Sequence, residues 1–430
     1  MTTPYSIHQQ VFALSMLSNY LVKMRGSKAD LLQQLEKRIA SFVSYNGSKP
    51  DAGVTSLLGE WSVAWGPVIY QAPHSNVSDN GMMVLRNSAT APDGSTTDTY
   101  VVAIAGTAAM SAFDWTHEDG LAGDKGAAIT NVVSWTGFVA SPSETVSTPE
   151  AGRPYISLGT ATGLCTLLAM VDPIRKQTLA QYLATVSADV LVVTGHSLGG
   201  ALSAGLGLYL KQSKAAPGIP TLYVYPTAGA SPGNDAFAQG FKDALPRVDV
   251  ADGAPWQSWN VDIWNTLDVV PQAWSLAAAD PTIRTLRNMN GIYGNTPVGT
   301  PGGTPTPDLV GALSKRLVTW STESNVAYTP VEGASIPGHA VTAIPGTATE
   351  KPIALAVPPV HPRDFVGQAL YQHGLAYMSA IFGENTLPAI ETPFVPGVSA
   401  ETKDELILFF LKLFMLGAGA EEPAPLAAAE

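Results

Sequence analysis

The chain has 430 residues, of which 46% are hydrophobic and only 13% charged, and it carries a net charge of -12. It can bury a large core, and its acidity argues against nucleic-acid partners and against electrostatic attraction to anionic membranes. One cysteine, Cys165 in an apolar stretch, excludes an intrachain disulfide and reads as a small buried hydrophobe.

No internal repeat is present. The first 50 residues read as helical. Val11, Leu14, Leu17, Leu21 and Met24 fit an amphipathic helix, and Leu31, Leu32, Leu35, Ile39 and Phe42 share one face of another. This opening lacks the basic region, apolar core and cleavage site of an export signal. Strands are expected at Val68-Ile69-Tyr70, at Met82 to Leu85 and, after the Pro92-Asp93-Gly94 turn, at Tyr100 to Ala105. Residues 120 to 157 are irregular and rich in Gly, Ser, Thr and Pro. A helix is expected from Lys176 to Val186, and strands at Ala188 to Val193, Thr221 to Tyr225 and Ser258 to Trp264. Asn295 to Pro307 reads as a low-complexity surface loop, and Phe365 to Phe382 as a helix. The run Leu406 to Leu416 is too short for a membrane span and reads as a docked terminal helix (401–416). An Ala/Glu/Pro tail (417–430) is expected to be disordered. Alternating helix and strand predict an α/β fold with a parallel sheet.

The motif that carries chemistry is Gly195-His196-Ser197-Leu198-Gly199. A strand precedes it, and Leu198, Leu202, Leu206 and Leu210 behind it mark a buried helix face. That strand–turn–helix context is what a nucleophile elbow requires. It exposes Ser197 Oγ at a helix N-terminus, where backbone N–H groups and the helix dipole favour negative charge. The bland reading is a glycine-rich corner that happens to hold a serine.

A serine hydroxyl needs a base to remove its proton, and the base needs an orienting acid. In the Ser–acid–His chain order both follow position 197. Asp268, in Asn265-Thr266-Leu267-Asp268-Val269-Val270-Pro271, follows an expected strand and is the best-placed acid. Asp235, Asp249 and Asp252 lie in polar loops, and Asp262 alternates inside the strand. His373, His361 and His339 are the downstream bases available. His373 precedes an apolar helical stretch, His361 lies near the same helix and His339 sits in a turn. His196 is expected to pack or to hydrogen-bond locally, because the elbow directs it away from Oγ. The oxyanion needs two N–H donors. Leu198, after the nucleophile, supplies one. The Gly106-Thr107 end of the strand Val101 to Ala105 offers Thr107 as the other.

Taken in order, these segments resemble the class 3 lipases, the fungal-type triacylglycerol lipases. The elbow with its preceding histidine is similar to that family's, as is Ala105-Gly106-Thr107 followed by Asp114-Trp115. Pro226 to Ala238, with Gly233-Asn234 and Phe237, resembles the family's Gly-Asn-x-x-Phe. Asn265 to Pro271 resembles its Asn-x-x-Asp-x-Val-Pro, and His373 to Tyr377 its final histidine with a tyrosine a turn later. The matches span roughly residues 98 to 380. There are departures. The His-x-Gly-Phe segment is replaced by Leu158 to Leu164 without histidine, Ala105 stands where arginine is common, and the gap from 268 to 373 is long.

The resemblance implies an α/β-hydrolase with a mostly parallel central sheet flanked by helices, plus lid and loop insertions. It would be one domain over residues 1–400, with a lid at 110–157 and an insertion at 285–350. Phe113, Trp115, Trp135 and Phe138 would either cover an acyl groove or pack statically. The activity implied is serine ester hydrolysis of acylglycerols by Ser197, Asp268 and His373, with His361 as the alternative base and Thr107 and Leu198 as the oxyanion hole. No metal or cofactor is required. The expected partner is a lipid or other ester substrate, met at a transient lipid interface. Short-chain or aromatic esterases and phospholipases would share these residues, and a catalytically silent lipid-binding protein is the alternative of a different class. The family and the low charge favour an extracellular enzyme, while the lack of a visible export signal leaves a cytoplasmic one open.

Overall fold

The computed structural model describes residues 4–73, 75–90, 95–106, 127–344 and 352–383. Its main sheet has seven strands: β1 (Ser62–Tyr70), β2 (Asn80–Thr90), β3 (Thr96–Ile104), β4 (Val190–His196), β5 (Thr221–Thr227), β6 (Asp262–Asn265) and β7 (Gly333–Ile336), in that spatial order. The β1–β2–β3 edge is antiparallel, and β3 to β7 run parallel. This is a mostly parallel central sheet flanked by helices, as expected of an α/β-hydrolase.

Successive side chains on a strand point to opposite faces, and here each face feeds its own core. Met83, Leu85, Val101, Ala103 and Val192 enter one apolar cluster. Met82, Val84, Val102, Ile104, Leu191 and Val193 enter the other. The first cluster is closed by α1 (Ile7–Ser18), α2 (Lys28–Ile39) and a late helix, Leu375–Phe382. The second is closed by α3 (Leu158–Ala169), α4 (Leu198–Ser213) and α5 (Asp235–Ala244), with Leu198, Leu202, Leu206 and Leu210 all inside it.

Several expected elements differ from those found. The first helix is not amphipathic over residues 11–24. It ends at Ser18, and His8 and Val11 to Ser18 are all buried, because α1 lies across the sheet with other helices around it. Tyr5 and Phe12 stack on Phe382, and Gln10 accepts from the Trp61 indole. The expected helix from Lys176 to Val186 shrinks to Leu179–Leu183. The expected strand from Ser258 to Trp264 breaks at Asn260, whose φ of 63° takes the backbone out of the extended region. The expected helix from Phe365 to Phe382 is two: α7 (Pro362–His373) and α8 (Leu375–Phe382), separated at Gly374.

Residues 127–157 contribute the strands Val132–Ser134 and Tyr155–Ser157 to a second, four-stranded sheet. Trp135 and Phe138 stack on each other at 4.9 Å, both buried, and the Trp135 indole donates to Gln212 Oε1 of α4 at 2.8 Å. They are core residues here. Residues 285–344 supply a helix, α6 (Asp308–Glu323), and β7, the last strand of the main sheet. Phe113, Trp115, the remaining lid residues 110–126, the end of the insertion at 345–350, the terminal helix 401–416 and the tail 417–430 lie outside the described residues. No helix among the described residues is long and apolar enough to cross a membrane.

Candidate active site

Ser197 stands between β4 and α4 with φ 64° and ψ -128°, a strained backbone conformation for a non-glycine residue. The corner closes only because its neighbours lack side chains. A Cβ on Gly195 would fall on the Gly199 carbonyl, and one on Gly199 would lie 2.6 Å from the Ile104 carbonyl oxygen. Backbone oxygens cannot move aside, so both positions require glycine. The Leu198 N–H opens α4 and has no acceptor within the helix, and the helix dipole adds positive potential at that end.

Thr107 lies outside the described residues; Gly106 does not. A Cβ on Gly106 would stand 3.2 Å from Ser197 Cβ, so the end of the β3 segment runs against Ser197. The Gly106 N–H donates to Asn19 Oδ1 at 2.6 Å, and Asn19 Nδ2 donates to the Ser15 carbonyl at 2.8 Å. Asn19 is fully buried. Nothing in the spacing of Asn19 distinguishes it in the sequence from a polar residue on a helix surface.

Asp268 follows β6 by three residues and is fully buried. Its Oδ2 accepts from His373 Nδ1 at 2.8 Å and from the Tyr377 hydroxyl at 2.9 Å, while Oδ1 accepts the Val270 N–H at 3.0 Å. A carboxylate only accepts, so Nδ1 of His373 carries the proton and Nε2 is the basic nitrogen. Burial and the nearby Asp268 charge hold the Tyr377 phenol well above its ordinary pKa, so it stays a donor. The same hydroxyl accepts the Asn265 N–H at 2.9 Å, and Asn265 Nδ2 donates to the Gln372 carbonyl at 3.0 Å and to Gln372 Oε1 at 2.8 Å. The acid loop and the histidine helix, about 105 residues apart in the chain, are thereby tied by side chains.

The other candidates are elsewhere. Asp262 is buried and paired with Arg284 at 2.5 Å; burial raises its carboxyl to about 6 against the pull of that guanidinium. Asp235, Asp249 and Asp252 are exposed. His361, the alternative base, is exposed at the start of α7 and its N–H donates to Asp364 Oδ2 at 3.0 Å. His373 ends the same helix, so at about 1.5 Å rise per residue the two lie roughly 18 Å apart. His361 therefore stands outside the arrangement around Asp268. His339 is exposed, and its carbonyl accepts from Gln372 Nε2 at 2.8 Å.

His196 is fully buried with partners far away in the chain. Its Nδ1 lies 2.9 Å from Thr227 Oγ1 and its Nε2 2.7 Å from the His373 carbonyl oxygen. The local packing expected of it is replaced by these two long-range bonds. The arrangement combines a strained serine at a helix N-terminus with a buried imidazole–carboxylate pair, the components of nucleophilic acyl transfer.

Residues 135–276 match the family model of the class 3 lipases, a segment that holds Ser197 and Asp268. The chain is similar to the crystal structure of M37 lipase at 23% identity, covering 90% of this chain and 96% of that one with a TM-score of 0.59, a likeness of fold. Weaker matches include a mutant form of MDLA from Penicillium cyclopium (17% identity, 63% of this chain and 72% of that one, TM-score 0.32). A lipase from Rhizopus microsporus var. chinensis matches at 15% identity over 64% of this chain and 78% of that one, with a TM-score of 0.33. No curated protein matches the chain.

Proposed function

We propose that this chain, of which residues 135–276 match the class 3 lipases, is a lipase-type ester hydrolase that cleaves acylglycerol esters through an acyl-enzyme on Ser197. The observation that carries the reading is the buried contact between His373 Nδ1 and Asp268 Oδ2 at 2.8 Å, which leaves Nε2 as the base. In the first step Ser197 Oγ attacks the ester carbonyl while His373 Nε2 takes its proton. The imidazolium that forms is stabilised by Asp268, which stays unprotonated. The tetrahedral oxyanion receives N–H donors from Leu198 and Thr107. Collapse expels the alcohol, which takes the proton from His373, and leaves the acyl group on Ser197. Water then gives a proton to His373 as it attacks the acyl carbon; collapse breaks the acyl–Oγ bond, Ser197 Oγ takes the proton back from His373, and the carboxylic acid leaves.

Removing one oxyanion donor typically costs about 100- to 1,000-fold in turnover. The substrate class is tested by a chain-length profile. Hydrolysis of emulsified long-chain triacylglycerols at rates comparable to short-chain soluble esters is expected. Activity confined to short or aromatic esters would overturn the acylglycerol assignment. A fluorophosphonate adduct mapped by peptide mass to Ser197 is the expected result for the nucleophile, and an adduct elsewhere would overturn it.

A further inference from the structure

His373 is the last residue of α7, and the chain breaks at Gly374 before α8 begins. In a continuous helix the His373 carbonyl would accept the N–H of Tyr377. Here the Tyr377 N–H goes to the Gly374 carbonyl at 3.2 Å instead. The His373 carbonyl is one of the acceptors a helix end leaves over, and a buried acceptor of this kind needs a donor from elsewhere. His196 Nε2 stands 2.7 Å from it. A carbonyl oxygen can only accept, so Nε2 of His196 carries the proton, and Nδ1 accepts from the Thr227 hydroxyl at 2.9 Å. The two imidazole rings are 4.8 Å apart and tilted by 41°, and Tyr377 meets the His196 ring edge-on at 5.2 Å.

We infer that His196 is a positioning residue, which fixes the base by gripping the main chain of His373 from the residue next to the nucleophile. The inference rests on the Ser197–His373 reading above. Ser197 is bonded directly to His196, and His196 Nε2 holds the His373 carbonyl, so one side chain links the two residues independently of the loop that carries Asp268. The far side of His373 is held by Asp268, and Asp268 in turn by Tyr377. His373 is thus gripped at its carbonyl from one direction and at Nδ1 from another, which leaves Nε2 little freedom. Full burial pushes the His196 imidazole well below its ordinary pKa, so the single-donor neutral form persists across the working range. Misplacing a catalytic group by about 1 Å can cost on the order of 100-fold in rate.

The test uses the full chain with His196→Phe, His196→Gln and Thr227→Val. Gln retains a donor near the position of Nε2, Phe retains only the ring shape, and Val at 227 removes the hydroxyl that fixes the tautomer. Turnover of a soluble p-nitrophenyl ester and the rate of fluorophosphonate labelling are read per folded molecule. For His196→Phe we expect kcat and the labelling rate to fall together by about 10- to 100-fold, with KM within about twofold. His196→Gln should recover most of the loss, and Thr227→Val should lose roughly 3- to 10-fold. A purely structural role would lower the melting temperature and leave the rates per folded molecule unchanged; that result overturns the inference. If His196→Phe does not fold, His196→Gln and Thr227→Val decide. Wild-type rates in Thr227→Val together with loss of rate in His196→Gln would overturn it. If the phosphonate does not label Ser197 in the wild type, the Ser197–His373 reading itself falls. Labelling of Ser197 at an undiminished rate in the variants removes only the role of His196.

Discussion

The two halves of the site are built by different means. The nucleophile half is made by one continuous stretch, β4 to α4, and by glycines that let the strands approach each other. Its geometry is a property of backbone: Gly195 and Gly199 meet carbonyls, and Ser197 takes a positive φ. The acid–base half has no such scaffold. Asp268 stands on a loop, His373 at the end of a helix, and the two are joined through Asn265, Gln372 and Tyr377. Steric exclusion therefore shapes the first half, and hydrogen bonds between distant side chains shape the second. A side-chain change should damage the first abruptly and the second by degrees.

The largest effect expected is from Ser197→Ala, which should lower ester turnover by about 1,000,000-fold while leaving the melting temperature unchanged or raised, since it removes only the hydroxyl. Asp268→Asn should come next, with kcat down by about 10,000-fold and the fold intact. A carboxamide can present its NH₂ to Nδ1 and so invert the imidazole tautomer. Steady-state kinetics beside circular dichroism checks both. Equal losses would show that the two halves act as one unit, and a loss of tenfold or less for Asp268→Asn would break the comparison by making the acid half dispensable.

Gly199→Ala tests the steric half without removing a polar group. Its Cβ would meet the Ile104 and Ala105 carbonyls at 2.6 and 2.9 Å, and overpacking of this kind costs about 1–3 kcal/mol. Reduced yield of soluble protein and a melting temperature lower by several degrees are expected. Tyr377→Phe tests the graded half. It removes one donor to Asp268 and leaves the Asn265 N–H without its acceptor, so a loss of about 1–3 kcal/mol in stability and a fall in kcat of roughly tenfold are expected, measured by denaturant melts and kinetics.

The smallest effect separates the acid sensitivity of the scaffold from that of the site. His8 on α1 is stacked on Trp259 at 3.9 Å, and burial lowers its pKa to about 4. A histidine depressed below its unfolded value of about 6.5 binds fewer protons in the folded state, so stability is lost as pH falls through that window. His8→Phe should flatten the slope between pH 7 and pH 5 by about 2 kcal/mol, read by denaturant melts across that range. An unchanged slope would place the acid sensitivity elsewhere.

The legibility of the chain follows the same division. The corner at Ser197 was readable because its signals are local: a short strand, small residues and a leucine repeat follow one another from Ala188 to Leu210. The α/β class was readable because the strands alternate and the helices that cover them keep their own period. Asp268 was expected from its place after a strand and His373 from the apolar helical stretch behind it; the structure brings the two within 2.8 Å of each other, while α7 carries His361 to its far end. The roles of His196, Asn19 and Gln372 were not readable, since a polar residue inside an apolar run gives no sign of its distant partner. The first helix misled for a related reason. Its apolar spacing suited one covered face, but the fold covers it all round.

By itself, then, the sequence determined the strand–helix alternation, the tight corner at Ser197 and the glycines that permit it, because each depends on neighbours a few residues away. Only the tertiary structure decided which histidine faces Asp268, why α7 stops at His373 and what holds its carbonyl. Those outcomes depend on hydrogen bonds spanning from about 105 to 177 positions in the chain. Whether such bonds form is set by how the sheet and helices pack, and residue identity alone does not encode that distance.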